Sequence, residues 1–164
     1  MENLIVSWSK EITKEELEYK NNGFTKTKAS IFNIKSPTNE ELINSFNLIQ
    51  NELSVGDIAL CKHVIRNDNN IYPEMNGNKE SKNKIANDFI IEFLSNKIPI
   101  IWKNIHELNN RIIFELRNEL NYGIRWYIEN DKIVFRGLLD PYTTYLDCKN
   151  SSFKSQGFCS KKVN

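Results

Sequence analysis

The sequence predicts an α+β fold, mostly helical, in which a C-terminal β-hairpin packs on three to five helices. Apolar residues recur at three- and four-residue spacing over much of the first 120 positions, which is typical of amphipathic helices. From residue 124 onward the period changes to two, which indicates strands. We expect one globular domain over residues 1–146 and a polar C-terminal tail over residues 147–164 that need not be ordered.

Capping residues mark the first two helices. Thr13 and Thr38 are each followed three residues later by a glutamate, so that side chain and backbone can satisfy each other's hydrogen bonds. These pairs predict a short helix to about Lys20 and a longer one to about Leu53. The segments between and after them are predicted as a strand over residues 24–34, a helix over 58–65 capped by Asp57, for which a strand stays an alternative, and a polar loop over 67–84.

The longest apolar stripe begins at Pro99, whose missing N–H costs nothing in the first turn of a helix. Apolar residues continue at helical spacing to Leu120, and a shorter stripe over residues 85–94 precedes them. We therefore predict two further helices, with His106 off the stripe and in solvent. The predicted core consists of Leu42, Phe46, Ile49, Phe89, Phe93, Trp102, Ile105, Ile112, Leu116, Trp126 and Phe135.

A β-hairpin is predicted after Gly123, which can end the preceding helix in the left-handed conformation. Asn130 and Asp131 both tolerate positive φ and predict a two-residue turn. Strand alternation places Arg125 and Tyr127 on one face of the hairpin and Trp126 on the other. The hairpin therefore carries one basic, aromatic face and one face that enters the core.

Composition argues against several classes of protein. The chain of 164 residues has 22 Lys and Arg against 21 Asp and Glu, and this balance argues against a strongly basic nucleic-acid binder. We find neither an apolar run long enough to span a membrane nor a secretory signal, so we expect a cytoplasmic protein without a membrane partner. Cys61, Cys148 and Cys159 lack the paired spacing of zinc ligands, so we expect reduced thiols, no metal and no cofactor.

The sequence contains none of the common catalytic or phosphate-binding motifs. Asp57 and His63 are the candidate catalytic residues, because a carboxylate and an imidazole can move protons. No third group that orients His63 can be assigned, since scattered carboxylates such as Asp140 cannot be paired without geometry. Cys61 is interpreted as a small buried side chain rather than a nucleophile.

Missing motifs, balanced charge and surplus aromatic residues predict a non-catalytic binding module whose partner is another protein. Exposed patches of arginine and aromatic residues are where interface energy concentrates. Two alternatives stay open: a small enzyme or ligand-binding domain with its site between the hairpin and residues 57–66, and a single-stranded nucleic-acid binder that uses the hairpin face, which the charge balance disfavours. The predicted binding residues are Arg125, Tyr127, Arg136, Tyr142 and Tyr145.

Two stretches near the hairpin, Tyr122–Trp126 and Phe135–Pro141, are distinctive, and Gly56–Leu60 adds a weaker signal. Together they resemble part of an uncharacterised eukaryotic, largely fungal-type, protein family. The resemblance covers a small part of the chain. That family has no known activity, so the resemblance implies no function and assigns no catalytic residue.

Overall fold

The computed structural model describes residues 5–63 and 72–140, and in this part of the chain a four-stranded antiparallel sheet is the main element. Four helices accompany it there: α1 (Lys14–Asn21), α2 (Asn39–Phe46), α3 (Val55–His63) and α4 (Lys79–Leu94). The six strands of the same residues are β1 (Ile49–Gln50), β2 (Leu53–Ser54), β3 (Ile100–Leu108), β4 (Arg111–Asn118), β5 (Gly123–Glu129) and β6 (Lys132–Leu139).

The main sheet is a meander in which β3, β4, β5 and β6 lie side by side in chain order. Two of its turns have only two residues, and all four of these residues have positive φ. Asn109 and Asn110 have φ of 53° and 63°, and Asn130 and Asp131 have 48° and 63°. Positive φ at both positions is the geometry that matches the twist of a tight hairpin. The hairpin and turn predicted over residues 124–139 are therefore present.

The helix predicted from Pro99 to Leu120 is wrong, because β3 and β4 occupy those residues. Both faces of β4 are buried: Phe114 and Leu116 enter the core, while Ile113 is buried on the opposite face. A strand buried on both faces carries an almost continuous apolar run, and such a run also satisfies helical spacing. The mostly helical fold class is wrong for the same reason, since the hairpin extends a sheet.

The shorter elements match the predictions unevenly. Helices α1 and α3 lie where they were expected, and Thr38 caps α2 with the predicted reciprocal contact to Glu41. Helix α2 ends at Phe46 rather than near Leu53, because β1 and β2 form a small ribbon there. Helix α4 begins inside the predicted polar loop, where the Asn78 side chain accepts a hydrogen bond from the backbone of Ser81.

The segment over residues 24–34 does not form a full strand. It runs along the free edge of β3, where Thr25 N donates to Lys103 O at 2.7 Å and Ile31 N to Ile105 O at 2.8 Å. The Tyr19 hydroxyl of α1 also accepts from Ile105 N at 2.8 Å. These bonds satisfy backbone groups that an open edge would leave exposed.

The core lies between one face of the sheet and helices α2, α3 and α4. The prediction that Ile49 belongs to the core is wrong, because 55% of its surface is exposed. The prediction that His106 is solvated is wrong as well, because its side chain is fully buried. Phe93, Ile112 and Phe135 are partly buried against the core. The predicted members that are buried as expected are Leu42, Phe46, Phe89, Trp102, Ile105, Leu116 and Trp126.

Several predictions concern residues outside the described ranges. The proposed tail over residues 147–164, the aromatic residues Tyr142 and Tyr145, and the thiols Cys148 and Cys159 all belong to that part of the chain. Across residues 5–63 and 72–140, every helix is too short or too polar to cross a membrane.

Substituting Gly56 in α3 tests how tightly the core is packed. A Cβ there would lie 2.1 Å from the Phe46 ring, so Gly56→Ala must displace a buried aromatic side chain. A helical Gly→Ala change normally stabilises by up to about 1 kcal/mol, whereas overpacking costs about 1–3 kcal/mol. We expect Gly56→Ala to lower the free energy of unfolding in urea titrations.

Gly137→Ala is the matched control, because a Cβ at Gly137 meets no atom within 4 Å. Its free energy of unfolding should stay within about 0.5 kcal/mol of the wild type, as for an ordinary surface change. A Gly56→Ala protein that is as stable as this control would show that Phe46 is loosely packed.

Candidate functional site

The two faces of the main sheet differ in chemistry. On one face, Phe114 and Trp126 lie 5.8 Å apart in the core. Because side chains alternate along a strand, their neighbours point the other way. That second side, called the polar face below, carries Asn104 and His106 of β3, Glu115 and Arg117 of β4, and Arg125 and Tyr127 of β5.

The centre of the polar face is a cluster of charged groups around Glu115, called the charge cluster below. Arg125 stands opposite Glu115 in the β4–β5 register, and its Nε donates to Glu115 Oε1. Arg117 Nε lies 3.4 Å from Glu115 Oε2, and His106 Nε2 lies 3.6 Å from Oε1. Three neighbouring strands thus aim cationic or ionisable groups at one carboxylate.

The charge cluster is deeply placed, and one member reaches the surface. The side chains of Glu115 and Arg117 are 3% and 4% exposed and that of His106 is fully buried, whereas Arg125 is 22% exposed. Burial alone would raise the pKa of Glu115. The neighbouring His106 imidazole and the charges of Arg117 and Arg125 outweigh it and lower this pKa to about 2. Glu115 is therefore an ionised carboxylate at neutral pH.

Beyond Arg125, the polar face continues as a cationic and aromatic surface around Tyr127. The Arg111 guanidinium lies 3.5 Å from the centre of the Tyr127 ring, and the Arg136 guanidinium lies 5.9 Å from it. Arg111 also pairs with Glu129 across the strands. Cations stacked on an aromatic ring form a surface that suits nucleotide bases and phosphates. Arg125, Tyr127 and Arg136, predicted as binding residues, thus share one surface.

A second group of ionisable side chains lies where α3 and β6 end. His63 Nδ1 is 2.9 Å and 3.1 Å from the two carboxylate oxygens of Asp140, and the Tyr72 hydroxyl donates to Asp140 Oδ1 at 3.0 Å. Burial, followed by the Asp140 charge, raises the pKa of Tyr72, which keeps it a neutral donor. Asp140 is the orienting group for His63 that the sequence could not assign.

The charge cluster and the group formed by His63, Tyr72 and Asp140 are connected through Arg117. Its Nη1 donates to the backbone oxygen of Asn121 at 2.9 Å and to that of Asp140 at 3.5 Å, while its Nε faces Glu115. One guanidinium therefore fixes the end of β6 relative to the centre of the sheet.

Asp57, the other predicted catalytic residue, does not join His63 within the described residues. It is fully buried near the start of α3, where its backbone N donates to Ser54 Oγ and its Oδ1 accepts from the Cys61 thiol at 3.3 Å. Burial and the adjacent Asp57 raise the pKa of Cys61, so this thiol is a poor nucleophile. Both residues belong to α3, where Asp57 is fully buried and Cys61 is partly buried.

Sequence reasoning missed the charge cluster because it placed residues 99–120 on a helix. Asn109-Asn110 was the overlooked signal, since two asparagines accept the positive φ of a hairpin turn. With that turn in place, β4 alternates Phe114 and Leu116 with Glu115 and Arg117, which separates an apolar face from a charged one.

A match to a protein family covers the region that holds the charge cluster. Residues 43–140 match the model of the CdiA C-terminal tRNase toxin domain. The chain belongs to this family. The match spans more than half of the 164 residues and contains the whole main sheet, the charge cluster, His63 and Asp140. Neither the curated proteins nor the solved structures give a match.

Membership in this tRNase toxin family corrects two predictions. The resemblance to an uncharacterised eukaryotic family is wrong, because the matched model describes a toxin domain. The non-catalytic, protein-binding module is wrong as well, because the family is described by a nuclease activity. Charge balance and missing motifs misled the interpretation, since the charged side chains here converge through the sheet rather than through a short motif.

The pKa of Glu115 predicts how acid destabilises the fold. A carboxyl with a pKa below its ordinary value of 4.5 stabilises the folded state above that value, and this contribution disappears as the pH falls towards 2. At neutral pH this contribution to the free energy of unfolding is about 3 kcal/mol, because one pKa unit corresponds to about 1.4 kcal/mol. The gap in unfolding free energy between wild type and Glu115→Gln should therefore shrink between pH 5 and pH 2.

Urea titrations at each pH measure this gap. Glu52→Gln is the control, because the side chain of Glu52 is 73% exposed. Its unfolding free energy should change with pH in parallel with that of the wild type. A gap for Glu115→Gln that stays constant from pH 5 to pH 2 would contradict the assignment of Glu115 as the buried ionised group.

Proposed function

We propose that this domain cleaves tRNA, and that the polar face of the sheet is where the RNA is bound and cut. The observation that carries the proposal is the charge cluster, in which Arg125, Arg117 and His106 surround the ionised Glu115. The description of the family as a tRNase toxin domain supplies the substrate class. Such a domain acts where tRNA is found, in the cytoplasm of the cell that it intoxicates.

RNA binding begins at the exposed end of the polar face. Tyr127 and the Arg111 guanidinium stacked over its ring offer flat surfaces against which an unpaired base can stack, and Arg136 nearby offers charge to the backbone. Arg125 is the accessible member of the charge cluster, so a phosphate that follows the stacked base meets this guanidinium first. Arginine binds phosphate through two parallel hydrogen bonds, which also fixes the orientation of the phosphate.

Glu115 is the group that accepts a proton. A phosphate that engages Arg125 competes with Glu115 for the guanidinium, and a carboxylate that loses a cationic partner becomes more basic. Glu115 then takes the proton of the ribose 2′-hydroxyl, whose oxygen attacks the adjacent phosphorus. The bond from phosphorus to the 5′-oxygen breaks, and that oxygen leaves with a proton from a water molecule. The hydroxide left behind takes the proton from Glu115, which restores the carboxylate. The products are a 2′,3′-cyclic phosphate and a 5′-hydroxyl.

The remaining members of the charge cluster stabilise this step. Arg125 and Arg117 offset the negative charge that builds on the phosphate oxygens, and preorganised charges of this kind lower the barrier without reorganising during the reaction. His106 is a positioning residue, because its Nε2 faces the same Glu115 oxygen that Arg125 holds. Placing all four groups on strands keeps their separations fixed.

Removing the carboxylate tests the catalytic assignment. We expect Glu115→Gln to lower the rate of tRNA cleavage by at least about 100-fold, the usual effect of removing a general base. Glu107→Gln on β3 is the control, since Glu107 is exposed and its side chain should not affect the rate. Both proteins are assayed well below their unfolding midpoints, so that a lower rate does not reflect unfolding.

The chemistry of the RNA ends separates two mechanisms. Ends that carry 2′,3′-cyclic phosphate and 5′-hydroxyl, formed equally in the presence of a chelator, support attack by the 2′-hydroxyl. Chelator-sensitive cleavage that leaves 5′-phosphate ends would show that the domain is a nuclease of another mechanism. An unchanged rate in Glu115→Gln would place the site elsewhere.

The role of Tyr127 in binding is tested in the Glu115→Gln protein, which should hold tRNA without cutting it. Stacking of a base on an aromatic ring contributes about 1–3 kcal/mol, so adding Tyr127→Ala should weaken binding about tenfold or more. Adding Tyr127→Phe instead keeps the ring and should change the dissociation constant less than about threefold. Equal weakening in these two variants would show that the hydroxyl, and not the ring, makes the interaction.

A further inference from the structure

A groove of about 440 Å³ lies between α3 and β6, at the edge of the main sheet where Arg136 also faces Tyr127. Its cationic and ionisable lining comes from Lys62 and His63 in the last turn of α3 and from Arg136 on β6, and none of its described lining residues is acidic. Resting on the proposed function, we propose that this groove binds a backbone phosphate of the tRNA next to the one that is cut, through Lys62, His63 and Arg136.

His63 is held ready for such an interaction. Asp140 accepts the hydrogen of Nδ1 and Tyr72 supports Asp140, so the ring is fixed and its other nitrogen, Nε2, is left for a ligand. The Tyr72 ring also packs edge-on against His63, with 5.7 Å between the ring centres. Both Asp140 oxygens are engaged by these partners, and Asp140 is not among the side chains that line the groove.

A bulge in β6 directs Arg136 to this place. Arg125 pairs with Gly137 and Trp126 pairs with Phe135, so Arg136 is an extra residue in β6. Bulges re-aim side chains and are common beside active sites. Arg136 both faces Tyr127 and lines the groove, and it is therefore the residue that the two surfaces share.

The groove also gives access to the protein backbone. Strand β6 is the last strand of the sheet among the described residues, and a Cβ at Gly137 would meet open space. An RNA strand that leads from the base on Tyr127 past Arg136 therefore enters a basic groove that can follow its backbone, as in other proteins that bind single strands.

The test compares a long substrate with a short one. A dinucleotide occupies only the polar face, whereas tRNA extends into the groove. We expect the double variant Lys62→Ala with His63→Gln to raise KM for tRNA at least about fivefold, to leave kcat within about twofold, and to cleave the dinucleotide like the wild type. The slope of log K for tRNA against log salt should become shallower by about 0.7–0.9 for each phosphate that the variant no longer neutralises.

Lys79→Ala is the matched control, because Lys79 is an exposed lysine at the start of α4, outside the groove. The proposal is overturned if the double variant has the KM and salt slope of this control. An equal decrease in activity on dinucleotide and tRNA also overturns it, because His63 would then act in the chemical step.

The proposed function fails separately, if the wild type cuts no RNA. In that case the groove is tested by tRNA binding alone. A shallower salt slope in the double variant than in Lys79→Ala supports the groove, and equal slopes reject it.

Discussion

The structure depends on the burial of one carboxylate. An ionised group inside a protein is expensive to desolvate, and Glu115 is tolerated because both neighbouring strands supply partners. Arg125 reaches it from β5 and His106 from β3, while Arg117 approaches along β4 itself. A shift of one residue in either pairing would turn a partner to the other face and leave the charge alone. The charge cluster therefore fixes the register of the sheet, and the same fixed register places a proton acceptor between two guanidinium groups. Stability and the proposed chemistry rest on the same interactions.

The division of the sheet into two faces separates the tasks of folding and binding. One face carries Phe114, Trp126 and Leu138 into a core closed by α2, α3 and α4, which supplies apolar burial. The other face also buries Trp102 and Ile113, and beside them it holds charged groups at fixed distances. Arg117 joins the charge cluster to the end of β6, because its Nε faces Glu115 and its Nη1 donates to the backbone oxygen of Asp140. The geometry at the end of β6, and with it the position of His63, is therefore coupled to the centre of the sheet through one side chain.

The sequence predicted helix caps and turns better than it predicted how the strands assemble into a sheet. Thr13, Thr38 and the Asn130-Asp131 turn act through neighbouring backbone groups, so their effects can be read without tertiary context. The run from Pro99 to Leu120 cannot be read in this way, because a strand buried on both faces loses the alternation that distinguishes it from a helix. His63 was found as a candidate, yet its partner Asp140 is distant in the chain, and only folding brings the two together. Glu115 was hidden by the wrong period, because a helix over these residues does not separate it from the apolar side chains beside it.

The near-neutral net charge shows why a total is a poor guide to RNA binding. Acidic residues in this chain gather in the first turns of helices, as Glu15, Glu40 and Glu80 do, where the positive end of the helix dipole stabilises them. Helices α2 and α4 belong to the layer that packs on the apolar face, so their charges are separated from the polar face by the sheet. On the polar side the arginines meet Glu115 in the interior, while Arg136 remains beside Tyr127. A phosphate responds to the charges within about 8 Å of it in physiological salt, and not to the sum over the chain. A balanced composition is therefore compatible with a local surface that attracts nucleic acid.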